Sequence, residues 1–166
     1  SRTKNYAAQS DVARFEIVER FGGIYLDTDV RSFESLEPLN YMCNFWGGII
    51  NNSFALYADN AYFASIPHHP ILKGCINNIY KFFNGENPCL DDWQPIETDK
   101  DKRMIYTIST TGPVMFTGNV IQKIDKQDII FTQEFFQIHK CIPETFLRHY
   151  YHGNWREDSS YEINIW

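Results

Sequence analysis

An α/β fold is what this sequence predicts, and three observations carry the prediction. Residues 10–21 hold Val12, Phe15, Val18 and Phe21 at three-residue spacing, with Ile17 widening the stripe, which is the pattern of an amphipathic helix. Gly22-Gly23 follows, suited to a helix end where a residue of positive φ is needed. Ile24-Tyr25-Leu26 is then a short apolar run, as in a buried strand of an α/β sheet. The strand is expected to be central in the sheet, with the helix packed on it through Val12, Phe15 and Val18.

Each element has its own warrant. Ser10 or Asp11 is a natural N-cap for the helix. Asp11 and Arg14 are three apart and share a face; as a surface ion pair they would be worth at most about 1 kcal/mol. Asp27 and Asp29 stand at the strand's carboxyl end, where open α/β sheets bind ligands. On an extended segment their spacing puts both carboxylates on one face, roughly 6.5–7 Å apart between Cα atoms. Such a pair repels unless a cation, donors or a proton intervene, and divalent manganese or magnesium with a diphosphate would balance it. The tripeptide Asp27-Thr28-Asp29 also reads as a plain turn, since Asp favours turns.

At 166 residues the chain is long enough for one domain with a substantial core. Its 43% hydrophobic content is that of a globular chain rather than a disordered one. A net charge of −6 argues against nucleic acid as a partner, but leaves room for an anionic nucleotide held through a metal. Cys43, Cys75, Cys89 and Cys141 are scattered without zinc spacing or a disulfide-scaffold pattern. No apolar run is long enough to span a bilayer, so any membrane association is not encoded in this segment.

The order Ser10-Asp11-x-x-Arg14, then Gly22-Gly23-Ile24-Tyr25-Leu26-Asp27-x-Asp29, resembles the signature of the DXD-motif glycosyltransferases of family 32. That family includes capsular-polysaccharide sugar transferases and eukaryotic mannosyltransferases, and clostridial glucosylating toxins share the motif. The resemblance implies a GT-A nucleotide-sugar transferase fold, a mixed sheet flanked by helices, with Mn2+ or Mg2+ as cofactor. It also implies a UDP- or GDP-sugar donor, a glycan, lipid-linked or protein acceptor, and retention of anomeric configuration. In the family a strand–helix–strand segment precedes the Ser-Asp-x-x-Arg helix and supplies much of the nucleotide pocket. Here nine residues precede Ser10 and the chain opens without Met. Residues 1–166 are therefore expected to form a single catalytic domain lacking its N-terminal nucleotide-binding segment.

Further matches follow along the chain. Phe45 to Phe54 reads as a strand followed by a polar turn. The resemblance assigns Asn51 to the donor sugar, its amide able to donate and accept. His69-Pro70 opens a helix through about Phe83, with cap and core as the roles of the histidine pair. Asp91-Asp92 reads as a solvated acid pair in a loop running to about residue 103. Met104 to Ile108 is a plausible strand, Thr111-Gly112-Pro113 starts a helix at Pro113, and Ile129-Ile130-Phe131 is a short strand. His149-x-x-x-Gly153-Asn154-Trp155 resembles the family's closing His-x-x-x-Gly-Ser-Trp, with Asn154 in place of Ser.

By this resemblance Asp27 and Asp29 are the catalytic acids, and Asp29, His149 and Asp27 hold the metal. Tyr25, Asp27, His149, Asn154 and Trp155 contact the nucleotide and diphosphate. Asp11, Arg14 and Asn51 grip the donor sugar. Two alternatives stand beside it. A haloacid-dehalogenase-like phosphatase would use Asp27 as nucleophile and Asp29 as general acid, but needs a second acidic pair after an apolar strand. The other is a non-catalytic sugar-binding remnant.

Overall fold

The structure, a computed structural model, describes residues 5–52, 55–86, 100–136 and 146–150. In chain order the elements are α1 (Tyr6–Phe21), β1 (Gly23–Leu26), β2 (Val30–Ser32), α2 (Glu37–Asn40), β3 (Phe45–Asn52), β4 (Ala55–Ser65), α3 (Pro70–Phe83), α4 (Lys100–Thr110), α5 (Pro113–Lys123), β5 (Asp128–Phe131), α6 (Gln133–Phe136) and β6 (Leu147–His149). Four strands form one sheet in the order β1-β4-β3-β5. β4 runs antiparallel to β1 and β3, while β5 is parallel to β3. The result is a mixed sheet flanked by helices. β2 and β6 make a separate antiparallel ribbon.

Strand alternation divides the core into two layers. Phe45 and Phe63 point to one face, where they meet Phe15 and Val18 of α1, Ile71, Leu72, Cys75 and Ile79 of α3, and Phe116 and Val120 of α5. Trp46, Tyr62 and Ala64 point to the other, against Leu39 of α2, Phe136 of α6 and Leu147 of β6. Adjacent residues in a strand face opposite ways, so each aromatic pair in β3 and β4 serves both layers. Burying Cys75 among apolar side chains raises its thiol far above the usual range, which leaves it a packing residue.

Several sequence expectations hold. Phe15 and Val18 are buried, with Val12 packed against the same cluster. Gly22 takes φ +67°, and a Cβ there would lie 2.7 Å from the Pro67 ring. His69 caps α3 by accepting from Ile71 N–H, and its ring is buried against Asp128 at 3.0 Å. Pro113 opens α5.

Others are corrected. α1 begins at Tyr6, with Asn5 accepting from Ala8 N–H as the cap, so Ser10 and Asp11 lie inside the helix. Ile17 and Phe21 are exposed, because the stripe that meets the sheet is Ala8-Asp11-Phe15-Val18. β1 is the outer strand of the described sheet rather than a central one, and Leu26 is only half-buried. The segment from residue 104 to 108, expected as a strand, is part of the helix α4. Its β-branched residues favour strands, but Thr110 and Thr111 bond back to the carbonyls of Tyr106 and Thr107, four residues earlier. That bond is how hydroxyls settle into a helix.

One irregularity in the sheet bears on function. Gly47 pairs with Phe63, yet Ile49 pairs with Ala58. Residues 59–62 of β4 therefore face Gly48 alone, a wide bulge in the strand beside β1. A Cβ on Gly48 would lie 2.5 Å from the Tyr62 ring, so only glycine lets the bulged strand close down on β3.

Candidate active site

β1 ends where Asp27 N–H donates to Ala61 C=O at 2.7 Å, the last link to β4. The chain then turns, with Val30 N–H donating to Asp27 C=O at 2.9 Å. Asp27-Thr28-Asp29 is thus a turn and not extended strand. The turn itself brings the two carboxylates together, which strand alternation was expected to do. β2 leaves the turn and pairs with β6 in the register Val30↔His149, and Tyr150 N–H donates to Asp29 C=O at 2.9 Å. That ribbon delivers His149 to the acids. Its Nε2 lies 3.4 Å from Asp29 Oδ1. One ligand atom each from Asp27, Asp29 and His149 lies within 4.8 Å of the others.

Such a span suits one divalent ion with bonds of about 2.0–2.6 Å. Two carboxylates and an imidazole form a mixed oxygen and nitrogen set, suited to manganese or a similar ion. The electrostatics fit as well. Burial opposes charge on His149, but Asp59, Asp29 and Asp27 outweigh it and raise its pKa. Burial likewise raises Asp27, against the pull of Arg14. The cluster is an acidic pocket holding more negative charge than its own residues neutralise.

Behind it lies a buried polar network. Arg14, 6% exposed, sets its guanidinium 3.1 Å from Asp27 and 3.2 Å from Asp11. It also donates to Asn60 C=O at 2.7 Å and to Ser10 Oγ at 3.2 Å. The Tyr25 ring lies under the guanidinium at 4.6 Å, and its hydroxyl donates to Asp27 at 2.6 Å. Burial pushes that hydroxyl's pKa up to about 12, so it remains a donor. Asp11 accepts from Asn60 Nδ2 at 3.0 Å and from Thr111 Oγ1 at 2.9 Å. Burial, only partly offset by Arg14, lifts the Asp11 pKa to about 6. Asp11 and Arg14 are therefore not a surface pair; they form the floor beneath Asp27.

The expected site residues fall into three groups. Asp11, Arg14, Tyr25, Asp27, Asp29 and His149 are brought together. Asn51 is not: it is exposed, in register with Leu56, with its N–H donating to Gln133 at 3.1 Å. Ile49, two residues before Asn51, pairs with Ala58, so Asn51 lies past the bulge on the side away from β1. Asn154 and Trp155, like the Asp91-Asp92 pair, lie outside the described residues.

Three participants were missed. Asp59 lies 3.6 Å from His149 Nδ1, Asn60 bonds both Asp11 and Arg14, and Thr111 bonds Asp11. A signal was present for two of them. Asp59-Asn60 interrupts an apolar stretch in β4, and a carboxylate is rarely fully buried unless paired. Thr111 looked like a fold-making residue and carried no such mark.

Known proteins resemble parts of this chain. Residues 1–46 match the family described as a glycosyltransferase sugar-binding region containing DXD motif. Over 75 residues the chain is 33% identical to the human alpha-1,4-N-acetylglucosaminyltransferase, covering 45% of this chain and 20% of that protein. It is also 33% identical over 72 residues to inositol phosphoceramide mannosyltransferase 1 of Schizosaccharomyces pombe, covering 43% and 22%. These matches span about a fifth of each relative's length. Among solved structures, PaToxG glycosyltransferase aligns over 72% of this chain and 36% of its own, at 21% identity and a TM-score of 0.48. The chain is thus similar to the DXD-motif glycosyltransferases over residues 1–46, the stretch that holds Asp27 and Asp29.

Proposed function

We propose that this chain belongs to the catalytic domain of a metal-dependent glycosyltransferase. It would move a sugar from a nucleoside-diphosphate sugar, UDP- or GDP-linked, to a glycan, lipid-linked or protein acceptor. The convergence of Asp27, Asp29 and His149 within 4.8 Å carries this reading.

Breaking a sugar–diphosphate bond leaves negative charge on the diphosphate and positive charge on the anomeric carbon. Bound at the three side chains, Mn2+ or Mg2+ would supply charge neutralisation for the leaving diphosphate. Asp29 and His149 would be its main holders, with Asp27 as the third. Arg14 fixes Asp27 from below and Tyr25 donates to the same carboxylate, and both favour its charged form against the burial that raises its pKa. Asp11 and Arg14, buried beneath Asp27, act on the donor through that carboxylate, and positioning of this kind lowers the barrier by pre-ordering the reactants. The set offers no separate nucleophile poised beside a base. A transfer with retention, in which a donor phosphate oxygen takes the acceptor's proton, requires none.

A panel of UDP- and GDP-sugars, scored for Mn2+-dependent release of free sugar, tests the reading. Turnover that needs Mn2+ and disappears in Asp29→Ala and His149→Ala is the expected result. Hydrolysis of a generic phosphate ester without nucleotide-sugar turnover would instead favour the phosphatase. Donor binding with no turnover would favour the sugar-binding remnant.

A further inference from the structure

Asp59 is 3% exposed and sits in the bulge of β4. One of its carboxylate oxygens, Oδ1, accepts from Ala61 N–H at 2.9 Å. That bond accounts for half of the group and fixes its plane. The other oxygen, Oδ2, faces His149 Nδ1 at 3.6 Å. The opposite ring nitrogen, Nε2, faces Asp29 at 3.4 Å. The imidazole is therefore held between two carboxylates, one deep and one at the mouth of the pocket.

We propose that Asp59 is a positioning residue for His149: it holds the Nδ1 proton, so that the lone pair of Nε2 points at the position shared with Asp27 and Asp29. This rests on the metal reading above and extends it to the residue behind the ligand. The chemistry is specific. A neutral imidazole carries one proton on either nitrogen, and the partner of one nitrogen decides what the other can do. A buried carboxylate on Nδ1 can only accept there, so it favours the form whose Nε2 is free to bind a cation, in competition with the more exposed Asp29 on Nε2. The same carboxylate aligns the ring and raises its basicity. A turn-forming role for Asp59 would need Oδ1 alone and would leave the placement of Oδ2 without a use.

The Ala61 bond makes a sharp test available. In Asp59→Asn the amide oxygen must stay on Ala61 N–H, because the amide nitrogen cannot accept from it. The NH2 then takes the place of Oδ2 and donates to His149 Nδ1. The ring proton is forced onto Nε2, toward Asp29 and into the cation's place. The variant keeps its shape and reverses the histidine.

The experiment has two readouts on the full chain. The first is the tautomer of His149 in metal-free protein, read from its ring 15N shifts at a pH where the ring is neutral. The second is Mn2+ affinity by titration calorimetry. Wild type should be protonated on Nδ1 and Asp59→Asn on Nε2, and Mn2+ should bind the variant on the order of 10–100-fold more weakly. An Nε2 proton in neutral wild-type His149, or unchanged Mn2+ affinity in folded Asp59→Asn, overturns the proposal. Should the variant fail to fold, the wild-type tautomer decides alone. Should wild type take up no Mn2+, the metal reading falls, and the tautomer still tells whether Asp59 orients the ring.

Discussion

Arg14 is where the helix and the acids meet, and its effects can be argued one side chain at a time. Its guanidinium touches Asp11 and Asp27 while almost fully buried. Removing one member of such a cluster strands charge in the interior, which typically costs 3–5 kcal/mol. Arg14→Leu should therefore show a large loss of stability in urea unfolding. Arg14→Lys keeps the charge but not the planar fork, and should fold while binding donor more weakly. Asp11 makes a prediction in pH. Its carboxyl is lifted from 3.8 to about 6 by burial, so between those values the folded chain holds a proton that the unfolded chain has lost. Stability must then fall as pH rises through this window. Relative to Asp11→Asn, the wild type should lose up to about 3 kcal/mol between pH 3.5 and 6.5. An unchanged difference in urea unfolding across that range would contradict the assignment. The pairing of Asp11 with Arg14 was legible from their spacing. Its burial was not, since Asn60 and Thr111, which complete it, lie 49 and 100 residues away.

Elements set the positions of these side chains, and two of them control the rest. The bulge of β4 carries Asp59, Asn60 and Ala61 toward the site, and it depends on Gly48 leaving room for the Tyr62 ring. Gly48→Ala should cost about 1–3 kcal/mol through overpacking, and should weaken Mn2+ binding more than a neutral surface change of equal stability. β6 is anchored by Leu147, fully buried against Trp46 and its neighbours. Leu147→Ala should cost about 2–5 kcal/mol and reduce metal uptake by loosening the strand that bears His149, whereas exposed Arg148→Ala should do neither. Helix periodicity and the glycine pair made α1 and β1 readable in outline. The start of α1, the edge position of β1 and the helical state of α4 were not readable, because each is settled by what packs on it. Thr107 and Thr110 of α4 are buried against other elements, and that contact outweighs their preference for strands. The bulge left no mark in the sequence except a misplaced carboxylate.

Across the whole molecule, the site joins parts of the chain that are far apart. Asp27 and Asp29 lie in the first fifth of the sequence, and His149 reaches them from near its other end through β2 and β6. A ligand that binds only this joined state stabilises it by mass action. Mn2+ at a hundred times its dissociation constant should add about 2.7 kcal/mol to unfolding, and His149→Ala should abolish that increment while the protein stays folded. Thermal melts with and without Mn2+ measure both. The family motif was legible because it is local, within residues 10–29. That His149 would join the two acids was legible only through resemblance to the closing motif, since no local pattern links positions 29 and 149. The ribbon has a further consequence, in the order of events during synthesis. The four described strands of the main sheet lie within residues 23–131, so they can pair before residues 147–149 have left the ribosome. The pocket cannot. It waits for β6, so the three side chains cannot come together before His149 has emerged.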